Sequence, residues 1–78
     1  MNSNYTKLKF DLRKLRGRIK EVYGNETAFG KEMGWSHSTK TSKLNGDSYL
    51  KQDEILKSIY LLGIDDSSVH SYFFIEKV

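Results

Sequence analysis

Seventy-eight residues include no cysteine, no proline, one tryptophan and two histidines. Each scarcity removes a class of explanation. Without cysteine, neither a disulfide nor a thiolate metal site can brace a domain this close to the lower size limit for a self-sufficient core. The fold must rest on packing, alone or with a partner subunit, and this usage suits a reducing cytoplasm, the expected location. His37 and His70 are the only imidazoles, and no glycine loop that could cradle a phosphate accompanies them. Asp53-Glu54 and Asp65-Asp66 stand at helix starts, where carboxylates complement the helix dipole. No enzyme, metal or cofactor is therefore expected. Long apolar runs are missing too, which excludes a signal peptide and a bilayer span of roughly 20 residues. A membrane-surface helix is discounted, because the apolar stripe it would use is needed for the core.

Charge is present and unevenly placed. The net charge is +3. Residues 1–51 hold eleven Lys/Arg against five Asp/Glu, and residues 52–78 hold two against five, so the first part is +6 and the last −3. A molecule with one basic end is suited to a polyanion on that side, although basic residues also serve simply to solvate a helix face.

The apolar spacing predicts five short helices in one domain over residues 1–78, with the first four residues disordered. Leu8, Leu12, Leu15, Ile19 and Val22 mark one face of a helix from about 7 to 23. Gly17 inside it predicts a close backbone approach there. Asn25 caps a second helix carrying Ala28, Phe29 and Met33, which Gly34 ends. Ser36 caps a third, from about 37 to 44, closed by Asn45-Gly46. Ile55, Leu56, Ile59, Tyr60 and Leu62 define a fourth, and Asp65 or Asp66 caps a fifth containing Val69, Tyr72 and Phe73. The class is all-α, with a short strand as the alternative for the tail 73–78. Phe29, Trp35, Tyr60, Tyr72 and Phe73 are core candidates, with a base-stacking role as the other reading of Trp35. Phe74 and Ile75 exceed the needs of a small core and suggest a homodimer contact.

The third helix is peculiar: residues 36–43, "SHSTKTSK", contain no apolar side chain. Two short helices around a glycine turn, the second poor in apolar residues, are the parts of a helix-turn-helix over about 26–45. Polar groups suit a helix whose neighbour is a base-pair edge. The stretch "AFGKEMGWSHSTKTSKLNG", residues 28–46, resembles the helix-turn-helix of the lambda-type phage repressor and Cro superfamily in Gly30, Gly34, Ser36, Leu44, Asn45 and Gly46. The wider frame, residues 15–74, is similar to short Cro-like proteins from phages of Gram-positive bacteria. The resemblance implies that His37, Ser38, Thr41 and Ser42 face the major groove, and that Asn45 and the Gly46 amide meet a phosphate. Lys43, Tyr49 and Lys51 flank that surface as further phosphate candidates.

Two positions depart from the family pattern. Glu26 stands where relatives carry a Gln that touches the DNA backbone, and an acid there must turn toward a base. Lys40 replaces an apolar anchor, so either its stem covers the core edge while its ammonium reaches water or phosphate, or the helix sits loosely. The resulting expectation is a sequence-specific regulator that binds double-stranded operator DNA, with a dimer placing two recognition helices about 34–36 Å apart. The alternative is a modulator whose helix-turn-helix surface grips a phage repressor protein and alters that repressor's DNA binding.

Overall fold

The computed structural model describes residues 8–78. The expected disorder of the first four residues, and the expected helix start near 7, lie outside them. The described chain is all-helical: α1 (Arg13–Tyr23), α2 (Glu26–Met33), α3 (His37–Leu44), α4 (Gln52–Leu62), a 3-10 turn (Asp66–Ser68) and α5 (Val69–Phe73).

The helix boundaries follow from local chemistry. Asn25 Oδ1 accepts the Ala28 amide at 2.8 Å to start α2, and Ser36 Oγ accepts the Thr39 amide at 3.2 Å to start α3. Each satisfies an amide that has no partner inside its helix. Gly34, at φ 78°, turns the chain between them at a left-handed position that glycine adopts without steric cost. At the other end Asp65 caps the 3-10 turn by accepting the Ser67 amide.

α1 begins five or six residues later than the apolar spacing implies. Asp11 accepts the Arg13 amide at 3.0 Å and receives the guanidinium fork of the same residue, which holds its carboxyl at about 2. The segment before it is bonded elsewhere. Asp11 N donates to Ile75 O and Lys77 N to Lys9 O, both at 2.7 Å, around a single antiparallel bridge between Phe10 and Glu76. The tail therefore contributes one bridge rather than a strand.

Leu12, Leu15 and Ile19 of the first segment join Phe29, Met33, Leu44, Leu62, Ile64 and Phe73 in one core. α2 packs on α1 and α3, α4 on α1 and α2, and α5 on α1. Leu8 and Val22, expected inside, are 43% and 44% exposed. The larger correction concerns Tyr60, a core candidate that is 84% exposed. Nor does any backbone approach Gly17, since a Cβ placed there would meet nothing within 4 Å.

Candidate functional site

α2, its turn and α3 form the surface on which the sequence places function. Trp35 anchors it from the inside, edge-on to Phe29 at a centroid distance of 5.9 Å, with its indole N–H donated to Glu54 at 2.8 Å. A half-buried ring with a satisfied polar edge is a plug, not a stacking platform. Lys40 solves the anchoring problem with its stem. A Cβ on Gly30 would lie 3.1 Å from Lys40 Cδ and 3.2 Å from Cγ, so the alkyl chain occupies the space that the glycine leaves. The shallow cleft beside it, about 170 Å³, is lined by Thr27, Gly30, Lys31, Trp35, Ser36, His37 and Lys40.

The residues expected to meet base edges separate into two groups. His37, Ser38 and Thr41 are exposed along the outside of α3. Ser42 is half-buried, its hydroxyl 3.1 Å from that of Ser48, and it faces the following loop.

The expected phosphate contacts fare differently. Lys43 is buried: its ammonium sits 2.6 Å from Glu54 Oε1 and donates to Tyr49 O at 3.2 Å, so it points into the protein. Gly46 is also buried, and its amide donates to Lys43 O at 3.2 Å, leaving no N–H for an outside oxygen. The Tyr49 hydroxyl donates to Leu8 O at 2.6 Å and its ring leans on Phe10, so it fastens the N-terminal segment. Asn45 is exposed, but its side-chain oxygen accepts from Arg16 at 2.9 Å. Lys51 is exposed, and its backbone amide donates to Glu54 at 2.7 Å. Of the six positions, Lys43 and Gly46 thus turn their donors into the fold, and Tyr49, though exposed, spends its hydroxyl proton on Leu8.

Two carboxylates organise this neighbourhood. Glu54 collects Lys43, the Lys51 amide and the Trp35 indole, joining α4 to both ends of α3. Burial pushes its carboxyl up, and those three donors more than reverse the effect, leaving it below the usual range. Glu26 does turn toward a base. Arg16 grips it at 2.7 and 3.0 Å and holds its carboxyl low, while another nitrogen of the same guanidinium reaches Asn45. Arg16 therefore ties α1 to the start of α2 and the end of α3. The sequence reading missed Glu54 as a junction. The available signal was its place in the third helical position of α4, where an acid commonly folds back onto the capping amide.

No group of three His, Asp or Glu residues that could hold a metal ion occurs among the described residues. No described helix is long and apolar enough to cross a membrane.

With this geometry in place, the chain can be set beside known proteins. The solution structure of the modulator of repression (MOR) of the temperate bacteriophage TP901-1 from Lactococcus lactis is similar, with a TM-score of 0.73 and 36% identity over 85% of this chain and 89% of that one. No curated protein matches the sequence. The family described as "Protein of unknown function (DUF739)" matches residues 8–76, almost the whole described chain, and the chain belongs to that family.

Proposed function

We propose that this protein is a modulator of phage repression, which binds a repressor protein and thereby alters that repressor's hold on operator DNA. It acts by binding alone, without catalysis or a cofactor. The likeness to a phage modulator of repression supports this reading, and one physical observation carries it: two cations at the base of the α2–α3 unit, Lys43 and Arg16, are answered by the protein's own carboxylates. Lys43 is paired with Glu54 at 2.6 Å and Arg16 with Glu26 at 2.7 Å. Duplex affinity comes chiefly from Lys and Arg that displace counterions from phosphates. A cation already neutralised by a carboxylate of its own protein forgoes its share of that free energy. What α3 presents instead is an imidazole and hydroxyls, groups able to meet a protein as readily as a base pair.

The test is an electrophoretic shift of operator-region DNA with this protein, with the cognate repressor, and with both. The expected result is no shift by this protein alone and an altered repressor shift when the two are mixed. A salt-sensitive shift by this protein alone, with a log–log slope near −0.9 per phosphate contacted, would instead establish the Cro-like operator-binding reading. That outcome would place His37, Ser38 and Thr41 at the duplex.

A further inference from the structure

The most exposed apolar side chains on any described helix are Leu56 and Tyr60 of α4, at 63% and 84%. Ser58, midway between them, is fully buried, and its hydroxyl lies 3.9 Å from the Met33 sulfur. At 3.6 residues per turn, positions two before and two after Ser58 fall on the opposite side of the helix. Asp53 and Gly63, five before and five after, fall on that side as well, and both are exposed. The outer stripe therefore reads Asp53, Leu56, Tyr60, Gly63, and its spacing is symmetric about Ser58.

The exposed apolar residues of the tail are different in kind. Phe74 and Ile75 are only 44% and 40% exposed, and the ring of Phe74 leans on Phe10 over the chain's own bridge. Leu56 and Tyr60 belong neither to the core nor to the side chains packed against it.

Charge at the two ends of the stripe selects what fits it. Its start carries both signs, Lys51 and Asp53, each exposed. So does its end. The Arg18 guanidinium donates to the Leu62 carbonyl at 2.9 Å, lies 3.6 Å from Glu21, and stands 3.7 Å from where a Cβ on Gly63 would be. Asp65 and Asp66 follow, both exposed. Lys57 occupies the shoulder, and Glu54 is turned inward to Lys43. A partner of one sign would meet repulsion at both ends, and a second α4 laid parallel would set Asp53 against Asp53. A second α4 laid antiparallel across Ser58 avoids both. Leu56 of each copy then faces Tyr60 of the other, Asp53 faces Gly63 and the Arg18 beside it, and Lys51 comes level with Asp65. Gly63 has no side chain to stand between that carboxylate and the guanidinium.

We propose that the outer face of α4 is a self-complementary homodimer contact, with a two-fold axis at Ser58, Leu56 and Tyr60 as its apolar centre, and Asp53 and Arg18 as its crossed ion pairs. A two-fold contact uses the same patch on both subunits, so each favourable pair occurs twice. A docked tyrosine buries roughly 150–250 Å², and two tyrosines with two leucines place the contact below the roughly 1,200 Å² at which standard interfaces begin. The dimer is accordingly weak and reversible, with a dissociation constant in the micromolar range or above. It uses α4 and does not require the tail contact that Phe74 and Ile75 suggested.

Sedimentation equilibrium of the full chain, from about 10 µM to about 1 mM, tests the assignment. The parent should pass from monomer toward dimer across that range. Tyr60→Glu and Leu56→Glu should each weaken association by about tenfold or more. Asp53→Lys and Arg18→Glu should each weaken it several-fold alone, while an equimolar mixture of the two should recover the parent's association, because every crossed pair is then opposite in sign. Ile75→Ala should stay within about threefold of the parent. Leu56 and Tyr60 are exposed, so melting temperatures should be unchanged; Tyr60→Gln and Leu56→Gln repeat the test should either glutamate variant melt early. A parent that stays monomeric throughout overturns the assignment. So does a dimer that survives the Leu56 and Tyr60 variants, one that Ile75→Ala abolishes, or a charge-variant mixture that fails to recover. None of these outcomes bears on the electrophoretic test of the modulator reading, which stands or falls separately.

Discussion

α3 is built from polar residues and α4 is apolar at Ile55, Leu56, Ile59, Tyr60, Leu61 and Leu62, yet α3 is tied down at both ends while α4 leaves two of its apolar side chains open. The polar helix is held by an alkyl stem over Gly30 and by ion pairs and hydrogen bonds at its ends. The apolar helix inserts only part of its run into the core and leaves Leu56 and Tyr60 in water. Composition thus reports what a segment is able to bury, while the partners supplied by distant segments decide what it does bury. Lys43 makes the point most clearly: the second lysine of a polar run is buried because Glu54, eleven residues on, meets it at 2.6 Å.

The contrast breaks most readily at Glu54. Glu54→Ala strands a buried ammonium and leaves the Trp35 indole without its acceptor, and should cost about 2–4 kcal/mol, somewhat less than a fully enclosed pair because both side chains keep some solvent contact. For a domain of this size that lowers the melting temperature by roughly 10 °C or more. A melting curve that superimposes on the parent would mean that α3 is held by packing alone.

Acid should loosen the same junction progressively. Glu54 and Glu26 have folded-state carboxyls held below their unfolded values. The stability they contribute is fully present above the ordinary carboxyl range, near 4.5, and is lost as pH falls through the depressed folded values. Denaturant titrations should show stability declining as the pH falls below about 4.5, with a shallower decline in Glu54→Gln. An equal decline in both proteins would remove Glu54 from the account.

Smaller effects sharpen the comparison. Gly46 sits at φ 82°, and a Cβ there would lie 3.1 Å from Phe10 O. Gly46→Ala should therefore destabilise by about 1–2 kcal/mol, visible as an earlier urea midpoint. Gly17 is the opposite case, an exposed mid-helix glycine facing open space. Gly17→Ala should stabilise by about 0.5–1 kcal/mol, raising the melting temperature by a few degrees. A loss on that substitution would restore the close approach that the sequence suggested.

The helical class, the caps at Asn25, Ser36 and Asp65 and the turn at Gly34 were legible because each is written within four or five residues. Leu15, Ile19, Phe29, Leu62 and Phe73 were legible as core for the same local reason. Tyr60 was misread because the spacing of Ile55, Leu56, Ile59, Tyr60 and Leu62 fits a helix buried on more than one side, and only the placement of α1 and α2 shows which side is left bare. The late start of α1 was hidden because Leu8 keeps the helical spacing, while the pairing that draws residues 9–11 away lies in the tail. At the candidate site, the exposed positions His37, Ser38 and Thr41 follow from helical periodicity. The inward turn of Lys43 and the commitments of Gly46 and Tyr49 depend on contacts that no local pattern encodes.

The bridge between Phe10 and Glu76 fastens two segments more than sixty positions apart along the chain. It acts as a latch over Leu12 and Phe73, which line a small apolar recess with Phe10 and Phe74. Cutting the chain after Phe74 would take away the acceptor for the Asp11 amide and the donor for the Lys9 carbonyl. A four-residue truncation at one terminus would then release the segment ahead of α1 at the other, and a probe placed beside Phe10 would register it.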